Sequence, residues 1–344
     1  KNNRVIVTTK FFIGIDVSKP HFDVALMAVV NHVKQEIETA RFDNTASGIK
    51  LFEKWLKSRK FTFNGDSLVV MENTGIYHRL LWTFCSNRNL PIHIGNAAHI
   101  KWSFGIARGK NDKIDSIRLC NYAFKEADEL RATAALDPEL MLLKDLVSAR
   151  TKLLKQKSGI SVSVKELGNV NGKEHQKLIE KALKNAIDGI VKSIKNLEDQ
   201  IKKIINENQD FKQNYKLLMS IPGIGHVTAV YLIGCTGNFV GQPSGKELAC
   251  YAGVAPFEQT SGISIKGKPK VHRMANKELK RLLHMCALSL IQHNQEFKTY
   301  YNRKKAEGKH SMSIINAVRN KIALRIAAVI KNQECYKNNY NIAA

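Results

Sequence analysis

The chain has 344 residues, 44% of them hydrophobic, and its 54 Lys and Arg outnumber 30 Asp and Glu to give a formal net charge of +24. This length has room for two domains and a connecting element, and the charge favours a polyanion, above all nucleic acid, as partner. The apolar runs are far shorter than the roughly 18 residues that span a bilayer, and no signal-peptide pattern is present, so a cytosolic protein without membrane contact is expected.

The first 130 residues are predicted to form a mixed sheet with helices. The expected elements are strands over residues 11–17, 21–30, 34–42, 67–72 and 91–94 and helices over 44–56 and 76–89. Three meander strands followed by alternating helix and strand are typical of a ribonuclease-H-like α/β fold with a mixed sheet.

The rest of the chain is expected to be mainly helical. Apolar residues at three- and four-residue steps between about 138 and 211, with a turn near 168–172, predict an antiparallel helical hairpin or coiled coil, or else an ordinary bundle. Further helices are expected on both sides of a turn at 221–225, near 244–248, over 276–293 and over 311–332, with a loop at 258–262. The expected domains are therefore 1–130, a linker over 131–212, and 213–344.

Several acidic residues lie at the ends of predicted strands or on one face of a predicted helix. A carboxylate that is buried at such a position is costly unless a cation or hydrogen-bond donors offset its charge. Asp16 and Glu72 end predicted strands, and Asp112 and Asp115 are spaced to share one face of a helix. In a ribonuclease-H-like sheet the first and fourth strands are neighbours below a later helix, so these acids can converge. Such oxygen ligands suit Mg²⁺ or Mn²⁺, and two ions about 4 Å apart would clamp a phosphate. Taken singly, Asp16 could be a turn residue and Asp112 a helix N-cap.

Basic residues and glycines form the candidate nucleic-acid contacts. Cations beside the Asp112 and Asp115 pair suit a phosphate backbone, and the glycines at 221–225 free backbone amides for phosphate, as in helix-hairpin-helix motifs. The densest basic stretch lies between 261 and 310. A solvated charged helix and a plain Gly-rich turn are the alternatives. The candidates are Lys101, Arg108, Lys110, Lys113, Gly223, Gly225, Lys266, Lys268, Lys270 and Arg273.

Several motifs occur in a characteristic order. They are Ile-Gly-Ile-Asp-Val-Ser-Lys at 13–19, Met-Glu-Asn-Thr-Gly at 71–75, Lys-Asn-Asp-Lys-Ile-Asp-Ser at 110–116, Ile-Pro-Gly-Ile-Gly at 221–225, and Gly-Val-Ala-Pro through Ser-Gly over 253–262. In this order they resemble the DEDD transposases of insertion sequences, bridge-RNA-guided recombinases related to Piv-type DNA invertases. Asn111, at a position often Thr, and Ser116, at one often Ala, depart from the family pattern.

The resemblance implies a RuvC-like N-terminal domain, a coiled-coil linker and a C-terminal transposase domain with a nucleophilic serine. The matching positions are Asp16, Glu72, Asp112 and Asp115 for the acids and Ser261 for the serine. Apart from the resemblance, Ser264 is the runner-up nucleophile, and an ordinary loop serine is the alternative for both positions. The resemblance also implies Mg²⁺ or Mn²⁺, donor and target DNA, a structured guide (bridge) RNA, and a homodimer or homotetramer with composite sites. Lys266, Lys268 and Arg273 are candidates to stabilise charge as the serine attacks.

Two rival functions fit parts of the pattern. In a metal-dependent Holliday-junction endonuclease, water would be the nucleophile and Ser261 incidental. In a non-catalytic nucleic-acid-binding protein, neither the acids nor the serine would react. The long basic C-terminal half favours the recombinase over the nuclease, which needs only the N-terminal domain, and the complete set of acids disfavours a non-catalytic protein.

Overall fold

The fold comes from a computed structural model, which describes residues 9–104, 111–261, 265–272 and 274–337. Contacts divide the chain into two compact units, Lys1–Leu136 and Asp137–Ala344. The further boundary expected at residue 212 stays a prediction. Within the described ranges, no helix combines the length and the apolar character needed to cross a bilayer.

The first unit contains the expected mixed sheet. Its strands are β1 (Thr9–Val17), β2 (His21–Val30), β3 (Val33–Lys34), β4 (Glu38–Asp43), β5 (Ser67–Glu72) and β6 (Ile92–Gly95). The order is β3-β2-β1-β5-β6 with β4 also paired to β2, and β1 is antiparallel to β2 and parallel to β5. The prediction of a single strand over 34–42 is wrong, because the structure has two strands there, β3 and β4. The chain leaves the pairing with β2 between them, just after the hydrogen bond from the Gln35 amide to the Ala28 carbonyl.

Helices cover both faces of this sheet. They are α1 (Ala46–Ser58), α2 (Arg79–Asn87), α3 (Ala97–Ser103) and α4 (Asp112–Lys125). Alternate residues of β1 enter different cores: Ile13 and Ile15 pack with α1 and α2, whereas Phe12 packs with α3 and α4. The idea that Asp112 caps α4 is wrong, because the Asn111 side chain accepts from the Ile114 amide and takes that position.

A glycine brings α4 onto β1. A Cβ at Gly14 would lie 2.1 Å from the Cys120 nitrogen and 2.2 Å from the Ser116 carbonyl oxygen, so the helix backbone occupies the space of a side chain. The Cys120 thiol donates to the Phe12 carbonyl at 3.2 Å and adds to the same contact. The first turn of α4 is thereby held near the end of β1.

The second unit begins with two long helices that fold back on each other. Helix α5 (Pro138–Asn171) meets α6 (Lys173–Glu207) at Gly172, whose φ of +92° favours glycine. Arg150 pairs with Glu198 across the two helices at 2.7 Å. The chain reverses within the turn expected at 168–172.

Further helices pack around a common core, and one hairpin lies between two of them in the chain. They are α7 (Gln209–Met219), α8 (His226–Thr236), α9 (Gly245–Tyr251), β7 (Pro256–Ser261), β8 (Ile265–Val271), α10 (Lys277–His293), α11 (Gln295–Ala306) and α12 (Ser311–Asn332). The loop expected at 258–262 is wrong, because residues up to Ser261 form β7 and pair with the basic run in β8. Lys, Gly and Pro in that run obscure its strand character.

Replacing Gly14 tests the contact between α4 and β1. We expect Gly14→Val to lower the free energy of unfolding by roughly 1–3 kcal/mol or more, because its side chain would displace helix backbone rather than a flexible side chain. Chemical denaturation followed by circular dichroism measures the change. Gly65→Ala is the control, since a Cβ there meets nothing within 4 Å; equal losses in the two variants would contradict the packing account.

Candidate functional site

The acids on the strands share one face of the sheet and one edge. Ile15 of β1 pairs with Met71 of β5, so Asp16 and Glu72, one residue further along each parallel strand, are neighbours. On the other side of β1, Asp23 of β2 is directly opposite Asp16. By strand alternation these carboxylates lie on the face covered by α3 and α4.

The helix acids join this group from above. Asp112 and Asp115 lie in the first turn of α4, whose next turn rests on Gly14. Burial, followed by the negative charges of Asp112, Asp115, Glu72 and Asp23, raises the pKa of Asp16 to about 6. The acids proposed from the sequence therefore come together, and their repulsion disfavours the ionised form of Asp16.

Neighbouring cations hold the helix acids. Arg118 donates to Asp115 at 2.8 Å within α4. The Arg41 guanidinium on β4 lies 2.9 Å from Oδ2 of Asp23 and 3.3 Å from Oδ2 of Asp112, so it bridges strand and helix. Asp23 is the more buried of those two acids, with its side chain 8% exposed against 50% for Asp112.

A histidine extends the cluster. The His21 Nε2 lies 3.3 Å from Oδ2 of Asp112 and 3.8 Å from Oδ2 of Asp23. One ligand atom from each of His21, Asp23 and Asp112 falls within 4.8 Å of the others, so this group could hold a metal ion. His21, Asp23 and Arg41 were not among the site residues expected from the sequence.

Hairpin geometry was the signal that could have found two of them. The Ser18 amide donates to the His21 carbonyl at 2.9 Å, which closes a tight turn over Lys19 and Pro20. A turn of that length between two strands fixes the register, and the register places Asp23 opposite Asp16. Arg41 comes from a separate strand, and no local pattern points to it.

The chemistry of these side chains fits a divalent cation. Crowded carboxylates repel one another and lose hydration, and a bound cation offsets both effects. Asp16, Glu72, Asp112 and Asp115 would offer oxygen alone, the donor that hard divalent cations prefer. His21 would add a nitrogen donor at the edge of the group.

The basic candidates of the first unit lie beside the acids in sequence. Lys101 on α3 and Lys113 on α4 are exposed. Arg108 and Lys110 lie outside the described residues. Their proposed contact with nucleic acid stays a prediction.

The candidate serine ends a strand in the second unit. Ser261 is the last residue of β7, and its backbone pairs with Ile265 at the tip of the β7–β8 hairpin. Ser264 and Arg273 lie outside the described residues. The basic candidates Lys266, Lys268 and Lys270 all lie along β8, and Lys270 is exposed.

The two candidate glycines differ in their surroundings. Gly223 has a φ of +83°, and a Cβ there would lie 2.6 Å from Cγ of Leu290, so conformation and packing both demand glycine. Gly225 is the N-cap of α8, and a Cβ there would meet nothing within 4 Å. Only Gly225 therefore lacks a packing reason of its own.

Known proteins match both units. A family model described as "Transposase", of the DEDD type, matches residues 13–167, and one described as "Transposase IS116/IS110/IS902 family" matches residues 215–302. The pilin gene-inverting protein of Moraxella bovis is 28% identical over 336 residues, covering 94% of this chain and 96% of the relative. An uncharacterized 43.6 kDa protein of insertion element IS110 from Streptomyces coelicolor is 35% identical over 112 residues, 32% of this chain and 27% of its own.

Fold, acidic site and these matches define an enzyme that recombines DNA, a transposase or recombinase. Within that class the chain belongs to the IS110 family of transposases. The resemblance of the sequence motifs to the DEDD transposases of insertion sequences is thus confirmed. Family membership also implies a divalent metal, in agreement with the crowded carboxylates of the first unit.

Removing one charge tests the acidic cluster. At pH 7.5, above the pKa of about 6, Asp16 is ionised and repelled by its neighbours. Asp16→Asn should therefore raise the melting temperature without metal and weaken divalent-cation binding at least roughly tenfold. Thermal unfolding across a Mn²⁺ titration measures both effects. The exposed Asp128→Asn is the control in the same unit, and a metal-free Asp16→Asn protein less stable than wild type would contradict the account.

Proposed function

We propose that this transposase cuts and rejoins DNA through Ser261, assisted by Mg²⁺ or Mn²⁺ held by the carboxylates of the first unit. The proposed ligands are Asp16, Glu72, Asp112 and Asp115. The observation that carries the proposal is the convergence of these acids at the ends of β1 and β5 under the first turn of α4. When bound, such cations offset the charge of the scissile phosphate.

We further propose that the first unit is RuvC-like. Support comes from its strand order, in which an antiparallel β1–β2 pair adjoins parallel β5 and β6, and from α4 lying on β1. In this reading α5 and α6 form a coiled-coil linker between domains 1–130 and 213–344. The turn at 221–225 would act as a helix-hairpin-helix-like contact for DNA.

The serine would act as nucleophile on phosphorus. Its Oγ forms an ester bond to the scissile phosphate, its proton passes to a base, and the DNA oxygen that leaves takes up a proton. Attack by a DNA hydroxyl on this phosphoserine then re-forms a phosphodiester and releases the serine, so the strands are rejoined without hydrolysis of the phosphate ester. Basic residues along β8 would stabilise the developing charge, with Arg273 a further candidate.

The partners in this proposal follow from charge and family resemblance. A net charge of +24 supports binding to both DNA and a structured guide (bridge) RNA. Composite sites would require a homodimer or homotetramer, in which the serine of one subunit meets the acids of another. We propose that the protein acts in the cytoplasm of a bacterial or archaeal cell, in association with the nucleoid.

A trap for covalent protein–DNA adducts tests the nucleophile. With purified protein, Mg²⁺, RNA from the element's flanks and a junction-bearing duplex, wild type should form an adduct that denaturing electrophoresis detects. We expect Ser261→Ala to reduce the adduct roughly a thousandfold or more, because an alanine has no oxygen to attack with. Asp16→Ala should also abolish it.

Ser264→Ala is the matched control for the serine. It should leave the adduct unchanged, since Ser261 is the proposed nucleophile. Loss of the adduct in Ser264→Ala but not in Ser261→Ala would identify Ser264 as the nucleophile. Cleavage without any adduct and unaffected by Ser261→Ala would mean that water attacks, as in a junction endonuclease.

A further inference from the structure

An arginine is buried in the second unit without a carboxylate. Arg319 on α12 is 5% exposed, and its Nη2 lies 3.0 Å from Nδ1 of His284 on α10. Its Nε atom is buried with no hydrogen-bond partner, and within the described ranges no Asp or Glu forms an ion pair with it. An unpaired buried charge of this kind is costly, and its presence points to an anion that the chain itself does not supply.

The arginine lies at a cleft with a basic lining. The cleft has a volume of about 730 Å³ and is formed by the base of the β7–β8 hairpin together with α10 and α12. Lys270, Lys280 and Arg319 line it, and its described lining contains no carboxylate. Ser313 and Asn320 add polar groups from α12.

The positive charge of Arg319 acts on two neighbouring side chains, Lys280 and the neutral His284, whose Nδ1 accepts from Arg319. Burial and then the charge of Arg319 lower the pKa of Lys280, and the same two causes lower the pKa of His284. An anion bound in the cleft would offset the repulsion between the charges of Arg319 and Lys280. The cleft therefore gains more from a bound anion than an exposed basic patch would.

We propose that this cleft binds a phosphate group of the nucleic-acid backbone, with Arg319 as its central donor. The guanidinium fork matches two phosphate oxygens, and the Lys280 ammonium supplies a second charge. Asn316 has another task, because its Nδ2 donates to the Val254 carbonyl at 2.8 Å and fixes α12 against the start of the hairpin. That a nucleic acid carries the phosphate rests on the proposed function.

The phosphate held here is not the one that Ser261 would attack. The cleft is at the base of the hairpin, beside Pro256, and Ser261 ends the same strand five residues later. At about 3.3 Å per residue the two points are roughly 17 Å apart, or about five base-pair rises along a duplex. Arg319 is therefore a positioning residue that holds the strand at a distance from the cut.

Inorganic phosphate tests the cleft by thermal unfolding at constant ionic strength. The melting temperature of wild type should rise with phosphate, and Arg319→Met should abolish the rise without lowering the melting temperature in phosphate-free buffer. The control is Arg325→Met on the same helix, where the guanidinium already pairs with Glu296 at 2.6 Å. It should lower the basal melting temperature and keep the phosphate response.

A response to phosphate that is equal in wild type and Arg319→Met would overturn the site. If Arg319→Met does not fold, Lys280→Met serves instead, and an undiminished phosphate response in that variant would overturn it equally. Neither measurement depends on strand cleavage, so the site can stand or fall separately from the serine mechanism.

The salt dependence of DNA binding tests the source of the phosphate. The slope of log affinity against log salt for a duplex should fall by about 0.9 in Arg319→Met, as for one lost phosphate contact, and stay unchanged in Arg325→Met. A wild-type slope in Arg319→Met would overturn the nucleic-acid assignment, even if inorganic phosphate binds.

Discussion

The missing side chain at Gly14 is the constraint on which the acidic site depends. Because α4 lies directly on β1 there, Asp112 and Asp115 come within electrostatic reach of Asp16, two residues further along the strand. The parallel pairing of β1 with β5 then adds Glu72. Strand register and one close backbone contact thus assemble carboxylates that are separated by up to a hundred residues in the sequence.

Each unit contains a local group of like charges that neighbouring side chains neutralise only in part. In the first unit, burial and neighbouring acids act on Asp16; in the second, Arg319 is buried near Lys280 without a carboxylate partner. Such arrangements cost stability in the free protein and are found where a ligand of opposite charge binds. Divalent cations and nucleic-acid phosphates are the ligands that a DNA transposase encounters together.

The sequence predicted the features that depend on local pattern. Strand and helix periodicity, with the acid at each strand end, was enough to bring Asp16 and Glu72 together, and the chain reversal at Gly172 lay within the expected turn. Contacts between distant segments were not predictable in this way. Arg41 reaches Asp23 from another strand, and the cleft lined by Arg319 is formed by three elements that meet only in the folded unit.

The most direct test of the acidic site is anomalous diffraction from crystals of the protein grown with Mn²⁺. We expect a Mn²⁺ peak within roughly 2.5 Å of carboxylate oxygens of both Asp16 and Glu72. A peak confined to His21, Asp23 and Asp112, or no peak in the first unit at saturating Mn²⁺, would contradict this expectation.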